Sequence, residues 1–287
     1  MSSKIPQQSD IIIHPDGSVS LSFLWKEDLH LQQTRTASDI PLFFEGGSFG
    51  YDECEMCPKQ CGFNRVEGVH PRCGDEFLRV STWGVSMGDE ASIRGSHGSG
   101  AIMLAGCPLS CPSCHNPEMV QTGFVVNDRE FVEICYELEA KSVHNIQILS
   151  PTVHMGRLLP ILKFLKKKKF KTPILFKSSG IESMEYLKKL RGLVDIYLPD
   201  FKYGPSSSFA KRAGFNDYFE LAQGNVLEML DQVGPAKYEN GALLSGVLIR
   251  HVMAPIDNIE RRAIYQFLDF LKDRCEISKM DNFVNLE

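Results

Sequence analysis

The sequence predicts an α/β protein: a partial, laterally open barrel of six strand–helix units behind an N-terminal cysteine-rich extension. Three observations predict it. From about residue 100, short apolar runs alternate with longer segments whose apolar residues recur at helical spacing. Parallel strands cannot be joined by tight hairpins, and the helical segments supply the crossovers they need. Seven of the nine cysteines crowd into two groups, one ahead of the repeat and one at its start.

Ile11–Ile13 and Val19–Phe23 flank the turn signal His14-Pro15-Asp16-Gly17, so residues 10–24 read as a hairpin. Residues 40–53, rich in glycine and aromatics, read as irregular. The repeat opens with a buried strand at Ala101–Ala105. Asn127 or Asp128 caps a helix that places Phe131, Ile134, Cys135 and Leu138 on one face, with Cys135 as a small buried hydrophobe. A second strand is expected at Asn145–Leu149, followed by a helix at Met155–Lys169. Pro173–Phe176 is the third strand and Ile181–Leu190 the helix after it. Val194–Leu198 is the fourth strand, and Phe209–Leu230 is largely helical. Gly246–Val252 is the fifth strand, Ile259–Asp273 the last helix and Phe283–Leu286 the sixth strand. Six strands are too few for the closed eight-stranded barrel. A doubly wound open sheet is the competing topology, and periodicity alone does not separate the two. The expected division is a hairpin and cysteine-rich metal-binding extension over 1–95 and a strand–helix core over 96–287.

The 287 residues are 43% hydrophobic and 23% charged, enough to bury one substantial core. A net charge of -5, from 31 basic and 36 acidic residues, gives no field that argues for nucleic acid. The longest apolar runs, such as Ile11–Ile13 and Ile161–Leu165 (broken by Lys163), are too short to span a bilayer. Met1–Asp10 is polar and lacks the apolar stretch of a secretory signal. The expected compartment is therefore the cytoplasm, with neither nucleic acid nor membrane as partner. The basic run Lys166–Lys169, with Lys163 and Lys171, reads as the solvated end of a helix, where cations suit the dipole.

The segment from Gly106 to Glu118 carries the chemistry. Cys107, Cys111 and Cys114 are spaced C-x3-C-x2-C directly after an apolar strand. Thiolates are soft ligands suited to iron–sulfur clusters or zinc. Glycine and proline keep the loop irregular, so it can wrap a compact inorganic core. Three cysteines on a four-iron cluster leave one iron open, and an open position is what a catalytic metal needs. Active sites of strand–helix barrels form on loops after the C-terminal ends of strands, where this loop lies. The alternative is a zinc loop completed by His115 or a distant cysteine.

This spacing resembles the signature of radical S-adenosylmethionine (SAM) enzymes. The tail Cys114-His115-Asn116-Pro117-Glu118 resembles the subgroup of pyruvate formate-lyase (glycyl radical enzyme) activating enzymes. Further segments are similar to that branch: Gly95-Ser96-His97-Gly98-Ser99-Gly100 before the first strand, Asp195–Tyr203 around the fourth, and Ile249-Arg250-His251 with Pro255 at the fifth. The likeness covers roughly residues 54–286. It implies a radical SAM barrel with a [4Fe-4S] cluster on Cys107, Cys111 and Cys114, whose fourth iron binds SAM. One electron would cleave SAM to methionine and a 5'-deoxyadenosyl radical, which abstracts hydrogen from a protein or peptide substrate. A small electron-donor protein is the implied second partner.

The same resemblance implies roles at single positions. Lys202 would pair with the SAM carboxylate, and Asp200 would orient its amine or sulfonium end. Ser150 lies in the segment Leu149-Ser150-Pro151-Thr152-Val153-His154, which replaces a Gly-Gly-Glu-like element and is expected to touch the cofactor. Arg250 and His251 alternate faces on a strand, so at most one of them points inward to SAM. Two positions depart from the family pattern. Ser113 stands where many members carry an aromatic near the adenine, and Lys177 stands where a neutral polar residue is expected. A buried lysine there needs a carboxylate partner.

Cys54, Cys57, Cys61 and Cys73 are spaced C-x2-C-x3-C-x11-C. Four thiolates can close a site completely, which suits a structural or electron-relay role, as a second iron–sulfur cluster or as zinc. The leading expectation is a radical SAM oxidoreductase that activates or modifies a protein or peptide. The alternative is a non-catalytic iron–sulfur relay or sensor. A pure relay would close both sites with four protein ligands, and the three-cysteine loop does not. A zinc-stabilised interaction module would leave the long repeat without purpose.

Overall fold

A computed structural model describes residues 11–13, 19–21, 49–112, 114, 116–252 and 256–280. β1 (Ile11–Ile13) and β2 (Val19–Leu21) pair antiparallel with Ile12 opposite Ser20, within the hairpin expected over residues 10–24. The turn between them lies outside the described residues. An irregular cysteine-bearing segment leads into β3 (Leu78–Ser86), the short helix α1 (Ala91–Arg94) and β4 (Ser99–Leu104). Next come α2 (Pro117–Gln121), β5 (Phe124–Val126), α3 (Asp128–Ala140), β6 (Ile146–Leu149) and α4 (Met155–Lys167). The repeat continues through β7 (Ile174–Ser178), α5 (Met184–Lys189), β8 (Ile196–Pro199), α6 (Ser208–Arg212) and α7 (Tyr218–Val233). It ends with β9 (Lys237–Glu239), β10 (Ala242–Val252), α8 (Asn258–Leu271) and β11 (Glu276–Met280).

β4, β6, β7, β8, β10 and β11 are parallel and lie side by side in chain order. A doubly wound sheet reverses direction at a switch point, so this order removes that alternative. β3 pairs antiparallel with β4, and β5 with β3, extending one edge. The path runs from β5 to β11 without closing on itself, so the sheet is open.

The two faces of the sheet carry different residues, as period-2 alternation requires. Phe176, Tyr197, Val247 and Ile249 belong to the large core that also holds Phe131, Ile134, Cys135 and Leu138 of α3 and Leu158, Ile161, Leu162 and Leu165 of α4. Leu175, Ile196, Leu198 and Leu248 face the other way and pack around Ile93 of α1. Helix α1 therefore sits against the inner face. Among the described residues, no helix is long and apolar enough to cross a membrane.

Local chemistry explains several boundaries. Asn127 and Glu130 form a reciprocal capping box on α3, as Asp257 and Glu260 do on α8. Helix α5 starts three residues later than its apolar pattern implies, because the Ser183 amide donates to the Met56 carbonyl instead of entering a helical turn. The long helix expected over 209–230 is two helices, α6 and α7. β10 begins at Ala242 rather than Gly246, because Asn240 and Gly241 (φ 50° and 81°) turn the chain into a hairpin with β9. The sixth parallel strand is Glu276–Met280. Residues 283–286, expected to form it, lie outside the described residues. The basic run at the end of α4 is solvated except at Lys166, which pairs with Asp195 at 2.8 Å.

Candidate functional site

β4 is buried along its whole length, and the chain leaves the sheet at Ala105 and Gly106. Gly106 has φ +94°, and a Cβ there would lie 2.9 Å from Val153 and 3.2 Å from the Cys73 carbonyl. Conformation and space both demand glycine. Three backbone hydrogen bonds tie the loop that follows: Gly106 N–H to the Val120 carbonyl (2.6 Å), Cys107 N–H to the Arg72 carbonyl (3.2 Å) and Ser110 N–H to the Ala213 carbonyl (3.1 Å). Cys107, Cys111 and Cys114 are half-buried free cysteines. They line a cavity of about 610 Å³ together with Arg72, Cys73 and Arg79. Burial pushes the Cys107 thiol up to about 11 and raises that of Cys114. Such thiols keep their protons until a metal displaces them. Ser113 and His115 lie outside the described residues.

Just past β8, Asp200 and Lys202 form a largely buried ion pair. Burial alone would raise the Asp200 carboxyl, but Lys202 and Arg250 hold it below its ordinary value. Burial alone would lower Lys202, but Asp200 and then Cys111 raise it. Lys202 thus reaches the cysteine loop electrostatically, although neither it nor Asp200 lines the large cavity. Backbone bonds fix the pair in place. Asp200 N–H donates to Ser178 at 2.9 Å, and Lys202 N–H donates to the Tyr218 hydroxyl at 3.1 Å. Asp200 Oδ1 is buried with no hydrogen-bond partner among the described residues, the condition a bound ligand relieves.

Arg250 and His251 take opposite faces of β10. Arg250 points inward, with Nε 2.8 Å from Glu90 Oε1 and Nη2 3.6 Å from Asp89. Lys177 lies 3.5 Å from Asp89, the carboxylate its burial requires. Ser86 Oγ (2.7 Å) and Gln147 Nε2 (3.0 Å) also donate to Asp89. Burial would raise both acids; Lys177 chiefly holds Asp89 low, and Arg250 holds Glu90 low. His251 is buried on the outer side, with Nδ1 2.7 Å from the Phe201 carbonyl and its ring against Tyr265 of α8. The structure does not bring it to the cysteine loop. Ser150 follows β6 at the same end of the sheet as the other loops, with φ +56°. That conformation costs a non-glycine residue about 1–3 kcal/mol.

Cys54, Cys57, Cys61 and Cys73 line a second, small pocket of about 50 Å³. Cys61 is exposed and the other three are buried. Burial pushes the Cys73 thiol up to about 12 and raises Cys57. Cys73 lines both spaces, so the two cysteine groups share a wall. Among the described residues, no three His, Cys, Asp or Glu side chains are grouped so as to hold a single metal ion.

No family model matches the chain. It is 26% identical over 216 residues to the uncharacterized protein MJ0674 of Methanocaldococcus jannaschii, covering 71% of this chain and 58% of that one. It is 26% identical over 117 residues to a Haemophilus influenzae protein provisionally named a glycyl-radical enzyme activating enzyme, covering 39% of this chain and 44% of that one. The chain thus spans about half the length of these curated relatives. Among solved structures it is distantly similar to Streptococcus suis SuiB bound to precursor peptide SuiA. The TM-score is 0.42 at 14% identity, over 60% of this chain and 37% of that one.

Four residues escaped the sequence reading. Asp89 and Glu90 precede a four-residue helix, too short to leave a periodic signal. Arg65 sits between Cys61 and Cys73 with nothing local to mark it as buried. Glu182 is buried between the loops after β6 and β7, accepting from Thr152 Oγ1 (2.8 Å) and Ser178 Oγ (3.0 Å). Burial pushes its carboxyl up to about 7. An acid flanked by Ile181 and Ser183 was the available hint.

Proposed function

We propose that this chain is a radical SAM enzyme in which Cys107, Cys111 and Cys114 hold a [4Fe-4S] cluster. Its reaction would be directed at activating or modifying a protein or peptide, as a glycyl radical enzyme activase does. One observation carries the reading. Three free cysteines on a strand-end loop border a cavity, and a buried Lys202–Asp200 pair stands at the same end of the sheet, past β8. Thiols ringed about a space suit a bulky inorganic core better than a single ion, whose bonds to sulfur are only about 2.3 Å. The weak likeness to the named activating enzyme supports the same class.

When bound, the cluster supplies the electron that breaks a carbon–sulfur bond of SAM. The chain's own residues do the rest. Three thiolates leave one coordination position for SAM. The Lys202 ammonium pairs with the SAM carboxylate, and the unpartnered Asp200 Oδ1 accepts from its amine. Ser150 contributes at the loop after β6. Arg250, held by Glu90, and Lys177, held by Asp89, line the inner face and present no net charge to a substrate. His251 supports the Phe201 backbone from behind the strand.

We read residues 96–287 as the partial (β/α)6 core and 1–95 as its cysteine-rich extension, which holds a second cluster or zinc on Cys54, Cys57, Cys61 and Cys73. A cytoplasmic setting and a small electron-donor protein complete the reading. Iron analysis after anaerobic reconstitution tests it. Replacing Cys107, Cys111 and Cys114 together with Ala removes about four irons per chain; an unchanged iron content would overturn it.

A further inference from the structure

We propose that the Tyr203 hydroxyl donates a hydrogen bond to the Cys111 sulfur and so raises the reduction potential of the cluster on the cysteine loop. The proposal rests on the reading above and makes Tyr203 a positioning residue, acting through Cys111. Tyr203 is buried, and its hydroxyl is hydrogen-bonded to Cys111. A phenol is protonated at neutral pH, and a metal-bound thiolate has no proton to give, so the tyrosine is the donor.

The surrounding packing fixes that hydroxyl. The Tyr218 ring meets the Tyr203 ring edge-on, with centroids 5.0 Å apart. Tyr218 is itself tied down: its hydroxyl lies 2.8 Å from the Asp200 carbonyl and 2.9 Å from the Ser179 carbonyl and accepts from Lys202 N–H. On the other side, a Cβ at Gly204 would lie 2.6 Å from Glu260 Cβ, so the backbone is pressed against the first turn of α8. The segment after β8 is also docked on the cysteine loop, because Ser110 N–H, one residue before Cys111, donates to the Ala213 carbonyl at 3.1 Å.

A ring needed only to fill this space would be phenylalanine, since burying a hydroxyl without a partner costs stability. Here the partner is a cluster ligand. Hydrogen bonds to ligand sulfurs are among the factors that set the potential of an iron–sulfur centre. Reduction adds one electron, so a donor at the sulfur stabilises the reduced state more than the oxidised one. Tyr203 keeps its proton throughout. Lys202 favours the same state by charge alone, and its ammonium is committed to Asp200.

The test is a redox titration of the reconstituted full chain without SAM, followed by electron paramagnetic resonance. The signal to follow is the one that disappears when Cys107, Cys111 and Cys114 are replaced with Ala. Tyr203→Phe should keep its iron while the ratio of reduced to oxidised cluster at a fixed solution potential falls roughly tenfold, about 59 mV for one electron. Wild-type sequence made with 3-fluorotyrosine, whose hydroxyl is the stronger donor, should shift the other way. An unchanged or raised potential in Tyr203→Phe, or an unchanged one in the fluorinated protein, overturns the proposal. The fluorinated protein carries no substitution, so it decides even if Tyr203→Phe does not fold. Failure of the SAM reading looks different: iron content then stays unchanged when Cys107, Cys111 and Cys114 are removed.

Discussion

Arg65 and Val153, 88 positions apart, meet through one hydrogen bond: the buried guanidinium donates to the Val153 carbonyl at 2.6 Å. The same side chain, 1% exposed, donates to Cys73 (2.7 Å), Gly74 (3.2 Å) and Asp75 (2.6 Å) and lies over the Tyr51 ring. A single residue thus clamps the cysteine-rich segment to the loop after β6. Arg65→Met strands these carbonyls and should lower unfolding free energy by about 3 kcal/mol. Thermal melting reads the loss, and amide exchange should quicken around Cys73 first. A variant that melts like the wild type would show the clamp to be idle.

The pair formed by Asp89 and Lys177 makes a second prediction. Asp89→Ala takes from Lys177 its carboxylate partner in a site where Lys177 is only 17% exposed. Breaking one side of a buried pair should cost about 3 kcal/mol. Adding Lys177→Met should recover most of it, because the stranded charge is then gone. Denaturant melts of the four-member mutant cycle check this, and simple additivity of the two losses would refute it.

Glu182 gives the protein a pH dependence of definite sign. Burial raises its folded carboxyl to about 7 from an ordinary 4.5. Between those values the folded state binds the extra proton, so stability falls as pH rises through the window. The loss reaches roughly 3 kcal/mol above pH 7. Glu182→Gln should match the wild type near pH 5 and be more stable at pH 8. Melting curves at both pH values decide, and a constant difference between the two proteins would contradict the assignment.

The parts legible in the sequence were those with local causes. The α3 cap at Asn127, the apolar stripe through Phe131 and Leu138, and the cysteine spacing each depend on residues within a few positions. The need of Lys177 for a carboxylate was also legible, but the identity of the partner was not. Asp89 becomes a partner only because α1 lies against the inner face through Ile93, a tertiary fact. β3 went unread because it precedes the repeat and pairs backward, antiparallel, with β4. Glu276–Met280 left no mark in the sequence because it is a half-buried edge strand with few apolar residues. The shared wall at Cys73 joins positions 34 apart in sequence, and spacing alone carries no such distance.

Lys202 should matter for cofactor affinity as well as for the fold, since its loss leaves Asp200 buried without its cation. Lys202→Met removes the proposed partner of the SAM carboxylate, a charged hydrogen bond of about 1.5–3 kcal/mol, or roughly tenfold or more in Kd. Equilibrium dialysis of SAM against the reconstituted protein measures it. Equal affinity in the variant would place the carboxylate elsewhere.

The most direct measurement is formation of 5'-deoxyadenosine by the anaerobically reconstituted, reduced protein supplied with SAM. The wild type should form product and Cys111→Ala none. Cleavage of SAM by Cys111→Ala at the wild-type rate would contradict the radical SAM reading.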